Sequence, residues 1–246
     1  MLDIVIPVYN ECENIIALIE SFKLHVKTPS RILICYDHDT DTTLPVLAGV
    51  DFFPHKLMLV KNEGTGVHGA IVTGLYQGGS PFILVMPADD NFNSTRIDAM
   101  VSLMQEGNDI VTPCRFMPGG CFVGCSLMKR VLTVTAAWIF RYVAFVPTRD
   151  ATNGFRMFSQ CVLKAVEIES KVGFAFSLEI LVKAHRKGFK IAEYPVSWHE
   201  RKFGKSRFRT LKWVPQYLVW LQYALATTYL GLKVKETDGC IEKGIF

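Results

Sequence analysis

Phe82-Ile83-Leu84-Val85-Met86-Pro87-Ala88-Asp89-Asp90-Asn91 is the stretch that decides the fold. It opens as an apolar run without charge and ends in two carboxylates and an amide. An uninterrupted apolar run of this length, bounded by turn residues, reads as a strand buried on both faces. Ligands of open α/β sheets gather at the carboxyl ends of such strands. Hard oxygen donors there suit Mg²⁺ or Mn²⁺, and such an ion suits a diphosphate. The plainer alternative is a strand followed by an acidic turn.

Working outward toward the N-terminus, the same pattern repeats. Leu2 to Val8 reads as a buried strand, with Tyr9-Asn10-Glu11 as its turn. A helix follows, with Ile15, Ile16, Leu18, Ile19 and Phe22 on one face. Arg31 to Tyr36 is a second strand, ending in the acidic turn Asp37-His38-Asp39-Thr40-Asp41-Thr42-Thr43. Strand, helix, strand at this spacing is a right-handed βαβ unit, which places both turns on one sheet edge. Lys56 to Val60 is a third strand. The glycines of Asn62-Glu63-Gly64-Thr65-Gly66-Val67-His68-Gly69-Ala70 allow close approach of backbone to a ligand and start a helix to about Tyr76. Thr95 to Gly107 reads as an amphipathic helix and Asp109 to Pro113 as a fifth strand. Residues 1 to about 115 therefore predict a doubly wound, mostly parallel α/β sheet.

Toward the C-terminus the character changes. Pro118-Gly119-Gly120 is a break, and Leu127 to Val146 reads as a helix with Lys129, Arg130 and Arg141 among large apolar side chains. That composition suits a helix lying in a membrane interface, or an ordinary packing helix. Asp150 to Phe158 is a polar turn leading into a short strand. Ser177 to Lys187 is a helix capped by Gly188, and Lys190 to Val196 a strand. Trp213 to Leu232 carries no charged residue and is flanked by Lys212 and Lys233. It reads as a membrane span, an interfacial helix or a buried helix.

Composition sets the outer limits. Of 246 residues 50% are hydrophobic, and the net charge is +4. The mean hydropathy of +0.23 is high for a soluble chain, which predicts membrane contact or a very buried sheet. The charge is too mild to call for a nucleic-acid partner, and none is expected. Seven scattered cysteines without a Cys-x-x-Cys pair support neither a disulfide framework nor a zinc site. Asp3 interrupts the N-terminal apolar segment, so no signal peptide is expected.

Several motifs then align. Ile4-Val5-Ile6-Pro7-Val8-Tyr9-Asn10-Glu11 resembles the opening of the family 2 glycosyltransferases, with their GT-A nucleotide-sugar fold. The Asp37 turn resembles their acidic second-strand turn, and Pro87-Ala88-Asp89 stands at their Asp-x-Asp metal motif. Asn153-Gly154-Phe155-Arg156, Gly173-Phe174-Ala175-Phe176 with Glu179, and His199-Glu200-Arg201 followed by Gly204-Lys205-Ser206-Arg207 resemble the dolichyl- or polyprenyl-phosphate mannosyl/glucosyltransferase branch. Two positions depart from the pattern. Tyr36 replaces the first of two adjacent aspartates, and Pro87 replaces the first aspartate of the metal motif.

The resemblance implies an inverting hexosyltransferase acting from a nucleotide sugar, of GDP-mannose or UDP-glucose type, onto a polyprenyl phosphate at the cytoplasmic face of a membrane. A sugar-hydroxyl acceptor, or a non-catalytic binding protein, are the alternatives. It implies Pro7, Tyr9, Glu11, Asp37 and Gly66 around the nucleoside, with Asp37 alternatively a helix cap. Asp89 is the implied catalytic metal ligand, with Asn91 beside it and Mg²⁺ or Mn²⁺ as cofactor. Arg201, Lys205 and Arg207 are implied at the diphosphate, and Arg115 and Arg130 at the acceptor phosphate. Glu179 is the implied base if one is needed, or else a structural partner for an arginine. Residues 1–212 would form the transferase domain, with a nucleotide-sugar half at 1–115 and an acceptor half at 116–212. The acceptor half holds the interfacial helix 127–147, and residues 213–246 form a membrane-associated helix and tail.

Overall fold

The computed structural model describes residues 1–199 and 210–232. In chain order they form β1 (Leu2–Pro7), α1 (Ile15–His25), β2 (Ser30–Tyr36), α2 (Thr43–Leu47), β3 (Lys56–Lys61), α3 (Gly66–Gln77) and β4 (Phe82–Val85). A 3-10 turn (Phe92–Arg96) leads into α4 (Ile97–Gln105), then β5 (Ile110–Cys114), β6 (Cys121–Val123) and α5 (Leu127–Trp138). After a π turn (Ile139–Val143) come β7 (Arg156–Ser159), α6 (Gln160–Ala165), α7 (Ala175–Arg186), β8 (Ile191–Pro195), β9 (Ser197–His199) and α8 (Thr210–Tyr229).

The central sheet has the order β3-β2-β1-β4-β7-β5-β8. β1 pairs in parallel with β2 and β4, β2 with β3, and β5 with β8. β7 runs antiparallel to both of its neighbours, β4 and β5. The fifth strand of the sequence reading is thus separated from the fourth by a strand from the second half of the chain.

Alternation along the strands sorts the core into two layers. Ile4, Ile6 and Ile32 face α1 and α4 through Ile15, Phe22 and Met100. Val5, Leu33 and Phe158 face α3 and α7 through Ile71, Phe176 and Ile180. The far side of α7 buries Leu178 and Val182 against Phe140, Val146, Trp220 and Ala224, so α8 docks there. Arg186 fastens this docking: its guanidinium donates to Thr227 Oγ1 at 3.1 Å, Ala224 O at 3.2 Å and Ala144 O at 2.6 Å.

α8 therefore has a packed face. No helix among the described residues is long and apolar enough to cross a membrane. In α5, by contrast, Ala137 is the buried residue, and Leu127 is 77% and Trp138 57% exposed.

The chain leaves β1 toward β2 and β3 on one side and returns to β4 on the other, so the strand order reverses at the β1/β4 boundary. The carboxyl ends of these two strands frame the crevice in which ligands of such sheets bind.

The opposite end of β1 is held by Asp3. This buried carboxylate accepts from Arg31 Nε at 2.8 Å and Nη2 at 2.6 Å, Ser80 Oγ at 2.7 Å, Ser80 N at 2.9 Å and Gly79 N at 2.8 Å. Burial alone would raise its pKa, but the bonds from Arg31, Ser80 and Gly79 outweigh burial and hold it below the ordinary value of 3.8. A carboxyl depressed in the folded state stabilises above its unfolded value, and the contribution is lost as pH falls through the folded one. Asp3→Asn is expected to cost about 3 kcal/mol at neutral pH. In paired urea titrations the gap between wild type and variant should narrow below pH 4. A gap independent of pH would remove the ionised carboxylate from the explanation.

Candidate active site

The turn after β1 is clasped to the turn after β2. Asn10 sits in the left-handed region at φ 55°. Its N–H donates to both Asp41 oxygens at 3.1 Å, while its own Oδ1 accepts from Thr42 N at 3.1 Å. Glu11 N–H donates to Thr43 Oγ1 at 2.9 Å. These bonds fix where Tyr9 and Glu11 stand relative to Asp37. The Asp37 carboxylate accepts from Asn62 Nδ2 and, at 3.1 Å, from the Gly66 N–H that begins α3. Asp37 thus caps a helix from a neighbouring loop and also lines the cavity described below. A carboxylate has about four acceptor sites, enough for both contacts and a ligand.

β4 delivers the acidic turn. Met86 N–H donates to Val5 O at 3.0 Å, and Asp90 N–H to Pro87 O at 3.2 Å, which curls the chain over the sheet edge. Asp89 and Asp90 both line the cavity. Asp90 accepts from Asn93 Nδ2 at 2.8 Å, and Asn93 also donates to Ser197 O at 2.7 Å, tying the turn to β9. Burial, with a smaller push from Asp89, drives the Asp90 carboxyl up to about 6 against the bonds from Asn93. Among the described residues no group of three or more His, Cys, Asp or Glu side chains could hold a metal ion. A single hard carboxylate such as Asp89 nevertheless fits Mg²⁺, which keeps waters and takes its remaining ligands from substrate phosphate.

The facing wall is cationic and aromatic. Gly120 makes it possible: a Cβ there would stand 2.7 Å from Cys114 O and 2.9 Å from the Arg115 carbonyl, so only glycine lets the β6 entry press against Arg115. The Arg115 guanidinium grips the fully buried Asp150 through Nε and Nη2, both at 2.7 Å. Burial opposes its charge, but Asp150 more than compensates and raises its pKa. The guanidinium stands 4.7 Å from the Phe122 ring centre, Phe122 meets Trp198 at 5.1 Å, and Lys129 Nζ stands 4.3 Å from the Trp198 centre. The two-stranded β6–β9 ribbon is thereby flanked by two cations. Below it lies Arg156, fully buried, donating to the carbonyls of Ser177, Asp150 and Ala151. Burial lowers its pKa to about 10.

These walls enclose a cavity of about 470 Å³, lined by Pro7, Tyr9, Glu11, Asp37 and Gly66 at the β1/β2 edge, by Asp89 and Asp90, and by Arg115, Lys129, Trp198 and Tyr217. The volume is that of a small-molecule site.

A family profile described as glycosyl transferase family 2 matches residues 3–166. The chain belongs to glycosyltransferase family 2. Among relatives of this transferase, the polyprenol monophosphomannose synthase of Mycolicibacterium smegmatis is 26% identical over 215 residues, covering 83% of this chain and 79% of that protein. The undecaprenyl-phosphate mannosyltransferase of Micrococcus luteus is 26% identical over 212 residues, covering 82% of this chain and 85% of its own length. The fold matches glucosyl-3-phosphoglycerate synthase from Mycobacterium tuberculosis, solved with Mn²⁺, UDP-glucose and phosphoglyceric acid. That likeness has a TM-score of 0.67 at 16% identity and covers 92% of this chain and 80% of that one.

Several residues expected in the site of this family 2 enzyme lie elsewhere. Glu179 does not line the cavity. It is fully buried in α7, where it accepts from the Glu169 N–H at 2.6 Å, the Ser170 N–H at 2.8 Å and Lys183 Nζ at 2.6 Å. It stands there as a structural anchor, and its cationic partner is Lys183 rather than Arg156. Arg130, exposed on α5, and Asn91, at the head of the 3-10 turn, are also absent from the lining. Their neighbours Lys129 and Asp90 take those places in the wall. Arg201, Lys205 and Arg207 lie outside the described residues. Trp198 and Tyr217 were not singled out by sequence reasoning.

Proposed function

We propose that this glycosyltransferase moves a hexose, with inversion, from a nucleotide sugar of GDP-mannose or UDP-glucose type to a polyprenyl phosphate at the cytoplasmic face of a membrane. The observation that carries the reading is the wall of the cavity. It sets two cations, Arg115 and Lys129, beside Trp198, which Phe122 backs, across from the acidic β1/β2 edge. An anionic headgroup on an apolar chain matches such a wall. The names of the two mannosyl-transferring relatives support the same acceptor.

Pro7, Tyr9, Glu11, Asp37 and Gly66 hold the nucleoside. Asp89 would hold Mg²⁺ or Mn²⁺ on the diphosphate, where the ion offsets the charge of the leaving group. Arg115 and Lys129 orient the acceptor phosphate, whose oxygen is already anionic and needs positioning rather than deprotonation. The displacement of Glu179 from the cavity agrees with a reaction that needs no base there. The exposed apolar face of α5, with Lys129, Arg130 and Arg141 around it, rests on the membrane interface together with residues 213–232 of the C-terminal segment. Residues 1–212 act as the transferase domain.

The test is a panel of labelled nucleotide sugars offered with polyprenyl phosphate in anionic vesicles, and separately with a soluble glycan acceptor. Label should enter the solvent-extractable lipid in the presence of Mg²⁺ or Mn²⁺. Label found on the glycan alone would reject the lipid acceptor.

A further inference from the structure

Among the described residues, α8 reaches the cavity at Tyr217. Its side chain lines the cavity in company with Arg115, Lys129 and Trp198. The next two residues, Leu218 and Val219, are 49% and 48% exposed and turn to the outside of the same helix. Inward, Tyr217 packs against the cluster of Phe140, Leu178 and Trp220. Its direction is therefore fixed by the docking of α8 on α7. Tyr217 is half-buried, its ring packed and its edge on the cavity, and a phenolic O–H placed in this way ordinarily finds a hydrogen-bond partner at its wet end.

The guanidiniums of Arg115 and Arg156 are close enough to act on this phenol. Asp150 balances the charge of Arg115, whereas Arg156 is bonded to carbonyls and carries its charge without a carboxylate of its own. With Arg115 and Lys129 in the wall and Arg156 buried behind it, this end of the cavity is built from cations. The group that suits it is an anion with several acceptor oxygens.

We propose that Tyr217 is an acceptor-contacting residue, whose hydroxyl donates a hydrogen bond to the acceptor phosphate beside Arg115. The inference rests on the lipid-phosphate reading and extends it, because the acceptor subsite is then completed by the C-terminal helix. Burial, working against the two arginines, pushes the phenol up to about 12, so it remains a donor throughout the working pH range.

The test is Tyr217→Phe in the full chain, assayed with polyprenyl phosphate in vesicles and a saturating nucleotide sugar. The ring and its packing stay, and one oxygen goes. Loss of a hydrogen bond to a charged group should raise the half-saturating acceptor concentration about tenfold, while the half-saturating donor concentration moves less than about twofold. The urea midpoint should stay at the wild-type value. An active variant with wild-type acceptor dependence overturns the role of Tyr217 and leaves the lipid-phosphate reading standing. Donor and acceptor dependence rising together with a lowered midpoint would overturn it in favour of a purely structural tyrosine. A wild-type enzyme that glycosylates glycans and never polyprenyl phosphate overturns both.

Discussion

Asp89→Asn is expected to lower sugar transfer by about 10²–10³-fold while the chain stays folded. The residue stands at the carboxyl end of β4 and lines the cavity. It is the one acid retained from the family's metal motif, because Pro87 occupies the other position. An amide of the same shape keeps the turn, whose backbone bond runs from Asp90 to Pro87, but it cannot match the charge of a divalent cation. The loss should be accompanied by a weaker response of the residual rate to Mg²⁺ or Mn²⁺, read from a metal titration at saturating substrates. A variant that transfers at the parental rate would show that the cation, if used, is held elsewhere.

Arg115→Ala is expected to cost about 3–5 kcal/mol of folding stability, measured by urea unfolding, on top of any effect on the acceptor. Sequence reasoning treats Arg115 as a ligand alone. In the folded chain it is also the counterion of Asp150, which is fully buried. Removing the guanidinium strands that carboxylate in a medium where an unpaired charge is costly. Asp150 also accepts from the Arg115 backbone N–H at 3.0 Å, a bond that survives the substitution and does not replace the charge. Arg115→Ala with Asp150→Asn should therefore be less destabilised than Arg115→Ala alone. If both have the same midpoint, the pair is not the cause. Lys129, half-buried in the same wall, offers Lys129→Met as a second probe of the proposed acceptor subsite.

The sheet was legible because buried parallel strands are written as local apolar runs, and β1, β2 and β4 coincide with such runs. Their turns were legible because acids and glycines cluster at their carboxyl ends. The position of β7 was not legible: its pairing joins residues far apart in sequence, and Arg156 to Ser159 carry no mark of their neighbours. β6 and β9 are three residues each, too short for a period.

Lys129 and Arg130 are adjacent on α5, and only the rotation of that helix decides which reaches the cavity. The sequence shows both and cannot choose. Tyr217 was hidden in a segment notable for lacking charge, where one phenol does not stand out. Glu179 is different, since Lys183 follows it at the i,i+4 spacing of a helical ion pair. That signal was available and pointed to the structural role.

The placement of β7 has a consequence for synthesis of the chain. β4, which carries Asp89, has β1 on one edge and β7 on the other. As the polypeptide emerges from its N-terminus, β4 can pair with β1 at once, but its second edge stays open until Arg156–Ser159 has been made. An apolar strand with an open edge is a template for wrong pairing. Nascent or truncated chains that stop between β5 and β7 are thus the most exposed to aggregation, although they contain Pro7, Tyr9, Glu11, Asp37 and Gly66 of the cavity's β1/β2 edge.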